Sequence, residues 1–302
     1  MSTFNAGTNT GSSSFLLGSG VGPQILLAIV SGLVLFIIFY SIESLVQTFN
    51  RYKTAKTLLV PNTIMSNRAI VVRQDPSDPN AKMILPSDNE RTGVEFTYTF
   101  FLFIDPATFN NADTDTILKT VFYKGYSKPF PLIGPGVFVM TKENTMRISM
   151  NSYKTWFNYV DIKNVPIQKW FHVAILFRAN NLEVYVNGNM KGRISMEDTY
   201  PYQNYQNVNI FSSAIFSTND LNANGFCPNG KSCTTSSDRE KFSVSGAMTG
   251  QISRLSHYRY ALSFSEIQAA VNEGPSSQID TSGDLSASSY LQNTLADSWY
   301  TS

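Results

Sequence analysis

The chain has 302 residues, and 15% of them are charged, well below the roughly 25% that is usual in soluble domains. Its 23 Lys and Arg residues nearly balance its 22 Asp and Glu residues, so no basic surplus exists to neutralise a phosphate backbone, and we expect no nucleic-acid partner. Aromatic residues make up 13% of the chain, which favours strands because flat rings pack well on a pleated surface.

Residues 1–22 are small and polar, which predicts a flexible segment. Residues 25–42 carry no charge, and as an α-helix they would cover about 27 Å, close to the thickness of a bilayer core. We therefore predict a single-pass transmembrane and juxtamembrane helix over residues 23–60, which Pro61 ends. The side chains expected to face lipid are Ile25, Leu26, Leu27, Ile29, Val30, Leu33, Val34, Leu35, Phe36, Ile37, Ile38, Phe39 and Tyr40.

Two other interpretations of this apolar stretch are less favoured. A buried core helix would carry a polar stripe, whereas only Ser31 and Gly32 interrupt the run. A cleaved signal peptide would have a basic residue before the run and a small-residue cleavage pattern after it, and the sequence shows neither.

The charges that flank the predicted helix indicate its orientation. The first 42 residues are uncharged, and Arg51, Lys53 and Lys56 follow the apolar run, so the positive-inside rule places the C-terminal domain on the cytosolic side. None of the 26 asparagines begins an Asn-x-Ser/Thr sequon, which fits a domain that never enters the glycosylating lumen.

The rest of the chain reads as an all-β domain. Residues 61–92 hold short apolar runs broken by turn signals, which predicts a linker with edge strands. Beyond them, alternating apolar residues predict strands over residues 93–104, 116–124, 136–140, 145–150, 170–178, 182–188, 191–196, 207–211 and 246–261.

Turn and capping residues complete this domain, which we place at residues 93–274. Asn187 and Gly188 predict a tight hairpin. Ser263 and Glu266 predict a capping box for a short helix that ends at Gly274. Residues 275–302 form a polar tail that is either disordered or packed on this domain or a neighbouring subunit.

Two of these segments carry a family resemblance. WFHVAILFRANNLEVYVNG and GQISRLSHYRYALSFSEIQAA resemble signature motifs of laminin-G-like, concanavalin-A-like jelly-roll domains, over roughly residues 90–275. The resemblance implies two antiparallel sheets packed face to face. More narrowly, EFTYTFFLFID, VPIQKWFHVAI and YPYQNYQNVNI resemble the version of this domain in virion proteins of large double-stranded DNA viruses, some with one N-terminal membrane helix.

Catalytic residues are not evident in the sequence. Concanavalin-A-like hydrolases use two carboxylates on alternate residues of one strand, but Glu95 and Glu183 occur singly here, and Glu197 and Asp198 are adjacent. His172 lies in a predicted core strand, where a structural imidazole is expected. We therefore predict no enzymatic activity and no cofactor.

Metal and disulfide sites are weakly indicated. Asp113 and Asp115 are weak candidates for a calcium site, because oxygen-rich loops suit this cation, and no other metal site is predicted. Cys227 and Cys233 permit a small disulfide-closed loop; two reduced thiols are the favoured alternative for a cytosolic domain.

Aromatic and amide side chains are the remaining binding candidates. They suit either a glycan platform or a protein interface. The primary hypothesis is a minor capsid protein of a large DNA virus, which links an internal membrane beneath the capsid to the shell by contacts with the bilayer and with other capsid or membrane proteins. The alternative is a membrane-tethered lectin-like adhesion protein that binds glycan. The candidate residues are Trp156, Phe157, Tyr159, Tyr202, Asn204, Tyr205, Trp299 and Tyr300.

Overall fold

A computed structural model describes residues 21–87, 89–90, 93–110, 117–196, 200–218 and 225–280. The predicted calcium candidates Asp113 and Asp115, the adjacent pair Glu197 and Asp198, and the tail aromatics lie outside these residues. The chain divides at residue 55 into two compact units, an N-terminal unit that contains a helix and a C-terminal β-sandwich.

The helix, α1, runs from Val21 to Ala55. Its segment Gln24–Val46 is long and apolar enough to cross a membrane, a property that a signal sequence would share, and none of that segment is buried inside the protein. The predicted lipid-facing side chains are all exposed. Ser31 and Ser41 turn their hydroxyls back onto the helix, where they donate to the carbonyls of Ala28 and Ile37.

The helix ends earlier than the sequence predicts. We expected it to reach residue 60, but residues Lys56–Val60 form a strand that pairs with residues 255–258 near the end of the chain. The strand conformation is favoured because it buries Leu59 and Val60 completely in the core, which one more helical turn would not do. Residues 61–92, predicted as a linker with edge strands, contribute short strands to both sheets.

Seventeen strands are present within the described residues, and two helices accompany them. The second helix, α2 (Phe264–Glu273), has the predicted Ser263–Glu266 capping box and ends at Gly274. In chain order the strands are β1 (Lys56–Val60), β2 (Ile64–Met65), β3 (Ile70–Val72), β4 (Asn89–Glu90), β5 (Gly93–Val94), β6 (Phe96–Ile104), β7 (Leu118–Lys124), β8 (Gly136–Met140), β9 (Thr145–Met150), β10 (Asn158–Lys163), β11 (Trp170–Arg178), β12 (Asn181–Val186), β13 (Asn189–Ser195), β14 (Val208–Ile210), β15 (Ile215–Ser217), β16 (Ser243–Ala247) and β17 (Gly250–Tyr258).

Most of these strands form two sheets, which we call the front and back sheets. The front sheet has the order β1-β17-β6-β11-β12-β13, and β2 also pairs with β17. The back sheet has the order β10-β9-β8-β7-β14-β3, and β16 joins β7 and carries β15. The pairings are antiparallel except for β16 with β7, which is parallel. The predicted all-β sandwich is therefore confirmed.

The core lies between the two sheets and is built from their alternating apolar side chains, with Phe100 and Phe122 in edge-to-face contact at 5.2 Å. The outer faces are covered as well. On the front sheet, Leu262 and Ile267 of the α2 region pack on Leu176. On the back sheet, Phe242 and its neighbours pack on Phe138. Because β6 and β11 are buried on both faces, they read as continuous apolar runs.

The predicted hairpin is confirmed between β12 and β13. Asn187 and Gly188 both adopt positive φ angles, 49° and 77°, as a type I′ turn requires. The Asn187 side chain also accepts a hydrogen bond from the His172 amide at 2.8 Å, which ties the turn to β11.

Candidate functional site

Two of the predicted binding aromatics are packed rather than displayed. Phe157 is fully buried, and the Trp156 ring lies 4.5 Å from that of Phe226 and 5.3 Å from that of Phe242. They belong to an aromatic cluster on the outer face of the back sheet, so the expectation of an exposed platform here is corrected. The physical reason is that the segment around Phe226 folds over them and gains apolar burial.

Tyr159 is also committed to internal contacts. Its hydroxyl donates to Glu240 at 2.5 Å, and its ring lies 3.7 Å from the guanidinium of Arg147. Arg147 is itself nearly buried and bonds both carboxylate oxygens of Asp161, at 2.8 and 2.7 Å. We call the segment around Phe226 and Glu240 the cover. The contacts among Arg147, Asp161, Tyr159 and Glu240 hold it onto the back sheet.

The cover is closed by a disulfide. Cys227 and Cys233 are bonded, and their Cα atoms are 5.8 Å apart. Between them Asn229 adopts a positive φ of 53° and accepts a hydrogen bond from the Tyr159 amide at 2.7 Å. The small loop is thereby fixed over the aromatic cluster. Disulfides persist in oxidising environments, such as those of secreted proteins and virions. The predicted cytosolic location had favoured two reduced thiols at these positions instead.

Exposed tyrosines occur on a different part of the sandwich, on the loops at residues 151–153 and 200–206. Tyr205 is 73% exposed, and Tyr153 and Tyr200 are also exposed. The rings of Tyr153 and Tyr202 meet edge to face at 5.1 Å. We call Tyr153, Tyr200, Tyr202 and Tyr205 the tyrosine surface; the sequence predicted Tyr202 and Tyr205 but missed Tyr153 and Tyr200.

A buried lysine holds the loop that carries Tyr205. Lys124 is 3% exposed, and its ammonium donates to the backbone carbonyls of Asn204 and Gln206, the latter at 2.8 Å. The Asn204 side chain donates back to the Lys124 carbonyl at 3.0 Å. Asn204 was predicted to contact a glycan or a protein partner, but its side chain is buried and makes hydrogen bonds within the protein. Burial lowers the pKa of Lys124 to about 8.

A small gap lies between the sheets beneath Tyr205. It is lined by Lys124, Tyr98, His257 and several apolar side chains, and its volume of about 20 Å³ holds roughly one water molecule. Burial and the nearby charges of Lys124 and Arg259 lower the pKa of His257 to about 3, so this histidine is neutral at physiological pH. The gap is too small for a sugar ring in this conformation.

Two other buried titratable groups, His172 and Glu183, are engaged in internal contacts. Burial lowers the pKa of His172 to about 4, and its ring packs 5.0 Å from that of Phe101. Glu183 is buried and ion-paired to Arg178 at 3.0 Å. Within the described parts of the chain, His, Cys, Asp and Glu nowhere gather in threes as a metal site needs.

Part of the chain is similar to a known protein family. Residues 78–226 match the laminin-G-type family described as the concanavalin A-like lectin/glucanases superfamily. This match covers just under half of the chain. The chain therefore contains a β-sandwich domain of the concanavalin-A-like fold. No curated protein matches the sequence.

The solved structures to which this chain is similar include binding domains of toxins. The botulinum neurotoxin serotype D binding domain has a TM-score of 0.44 and 11% identity, and it covers 73% of this chain and 51% of its own. The binding domain of Paraclostridial Mosquitocidal Protein 1 has a TM-score of 0.41 and 12% identity, with 73% and 46% covered. The chain thus spans about half the length of these structures. At such low similarity, these structures give no information about what this chain binds.

Proposed function

We propose that this protein is a non-enzymatic structural protein that is anchored in a membrane by α1 and presents its sandwich as a docking module on the cytosolic side. The observation that carries the proposal is the exposure of every large apolar side chain described along Gln24–Val46. Each such side chain stabilises the buried state by roughly 1.5–3 kcal/mol, so the segment strongly favours a lipid environment over water.

The sandwich itself supports a binding rather than a catalytic role. Two of its buried charged side chains, Arg147 and Glu183, are engaged in internal ion pairs, and a third, Lys124, donates to backbone carbonyls. The gap beneath Tyr205 admits about one water molecule. Both sheets are covered on their outer faces, which makes the domain rigid. A rigid domain loses little conformational entropy on docking.

A minor capsid protein of a large DNA virus is the particular role that we favour. The sequence resemblance to virion proteins supports it, and so does the combination of the predicted cytosolic orientation with a disulfide. A domain made on the cytosolic face would begin with reduced Cys227 and Cys233 and would oxidise once the particle leaves the cell, because virions are an oxidising environment.

Virus particles purified from the organism that encodes this protein test the proposal. We expect the protein in intact particles by quantitative mass spectrometry, retained with the lipid after the outer shell is removed. Its absence from particles, or its release with the shell proteins without lipid, would contradict the role.

Glycan binding is a second candidate, favoured by the exposed rings of the tyrosine surface. Glycan-array binding that Tyr205→Ala abolishes would support it. Trp156→Ala is not a suitable test because Trp156 packs inside the aromatic cluster. The lectin role also requires the sandwich outside the cell, so digestion of the sandwich from the cytosolic side would exclude an adhesion function.

A further inference from the structure

Four chain segments meet at one end of the sandwich, which we call the anchor end because the chain enters it from α1. Residues 82–86 run along the outer side of β1, where the Thr57 hydroxyl donates to the Met83 carbonyl at 3.5 Å. The Arg259 side chain donates to the Pro86 carbonyl at 2.8 Å. The next residue, Ser87, donates its amide to the Gln203 side chain at 3.1 Å. The loop of Tyr205 is thus joined to the anchor end.

The anchor end exposes an unusual mixture of side chains. Leu58 and Met83 are each 41% exposed, and Leu85 is 37% exposed, beside the far more exposed Tyr205. Lys56 lies on the same face of β1 as Leu58, because side chains two residues apart in a strand share a face. Aliphatic, tyrosyl and cationic groups together are the composition that proteins place at the boundary between lipid and water.

The length of the chain keeps this end close to a bilayer. The apolar segment ends at Val46 and β1 begins at Lys56, so nine residues separate them. These residues are helical, and at a rise of about 1.5 Å each they reach about 14 Å. A lipid headgroup layer is about 5–8 Å deep, so this connection holds Lys56 within about one Debye length, 8–10 Å, of the lipid phosphates.

We propose that the anchor end is a membrane-facing surface: Leu58, Met83, Leu85 and Tyr205 contact the headgroup layer, and Lys56 and Arg259 attract anionic lipid. This inference rests on the proposed anchoring by α1 and goes beyond it, since a tethered domain could equally tumble freely on its helix. It assigns Tyr205 to lipid rather than to a glycan.

Site-specific photo-crosslinking in vesicles tests the contact. The full chain, inserted in vesicles of phosphatidylcholine and phosphatidylserine, carries benzoylphenylalanine in place of Leu85 or of Tyr205. Ile215 is the matched control, because it is 70% exposed and lies in β15, which pairs with β16; β16 in turn pairs with the end of β7 that is opposite Lys124. We expect lipid crosslinks at positions 85 and 205 severalfold above those at position 215.

Charge reversal tests the electrostatic part. Lys56→Glu should lower crosslinking at position 85 severalfold, whereas Lys163→Glu should not, because Lys163 is exposed at the opposite end of the back sheet. Equal crosslinking at positions 85, 205 and 215 in a protein that resists alkaline carbonate extraction would overturn the inference and leave the anchoring intact. Extraction of the protein by carbonate would refute the anchoring, and the inference with it.

Discussion

Acid should unfold this protein through His257, which is almost completely buried between the rings of Phe96 and Tyr98. The folded state holds the pKa of His257 near 3, against about 6.5 for an exposed histidine. Below pH 6.5 the unfolded chain therefore binds a proton at His257, whereas the folded chain does not. The stability contributed by the neutral imidazole is complete above about pH 6.5 and is lost as the pH falls towards 3.

The size of the effect follows from the shift. Below pH 6.5 the cost grows by up to roughly 1.4 kcal/mol for each pH unit, so His257 alone lowers the free energy of unfolding by about 2.5 kcal/mol between pH 6.5 and pH 4.5. His172, whose pKa lies near 4, contributes a similar loss over the same interval. Together they remove about 5 kcal/mol, a large part of the 5–15 kcal/mol that is typical of folded proteins.

The assay is urea unfolding of the full chain in detergent, followed by tryptophan fluorescence across this pH range. His257→Phe keeps an aromatic ring between Phe96 and Tyr98 but cannot accept a proton. We expect this variant to be within about 1 kcal/mol of the wild type at pH 7, as expected for a volume-conserving substitution, and about 2.5 kcal/mol more stable at pH 4.5. Parallel loss of stability in both proteins would refute the reasoning.

Three further perturbations test other parts of the fold. Asp161→Asn should lower the free energy of unfolding by about 2–3 kcal/mol in the same urea assay, because it removes the carboxylate that pairs with nearly buried Arg147. Asp78→Asn, which removes the carboxylate that pairs with exposed Arg73, is the control and should change the stability far less. Because burial lowers the pKa of Lys124 to about 8, the unfolded chain binds more protons above that pH, so stability should rise between about pH 8 and pH 9.5; Lys124→Met should show a smaller rise, and an unchanged rise would contradict the placement of Lys124. Reduction of the Cys227–Cys233 disulfide should lower the free energy of unfolding by about 2 kcal/mol, the chain-entropy value for so short a loop. Alkylation followed by mass spectrometry should find the two cysteines reduced in freshly made protein and oxidised in particles. Oxidised cysteines in newly made protein would argue against a cytosolic origin.

The sequence predicted the elements that depend on local pattern. The two long strands β6 and β11, the hairpin at Asn187 and Gly188, and the capping box of α2 each follow from neighbouring residues alone. Their periodicity and turn chemistry are short-range signals. The N-terminal strand β1 was missed because it pairs with residues about two hundred positions away in the chain, a contact that no local pattern reveals.

The candidate site was only partly predictable for the same reason. An aromatic residue in a loop can be displayed, as Tyr205 is, or covered by a distant segment, as Trp156 is by the segment around Phe226. The two cases have the same local sequence character. The role of Lys124 was not foreseen either, because a lysine at the end of a strand is usually solvated, and only the return of residues 204–206 buries it.

Protease protection in sealed membranes tests the central claim, a membrane anchor with its sandwich on the cytosolic side, most directly. Protease added from the cytosolic side should remove the sandwich and leave a protected fragment that contains Gln24–Val46. Protection of the whole sandwich until the membrane is broken by detergent would contradict the account and place the domain on the opposite face.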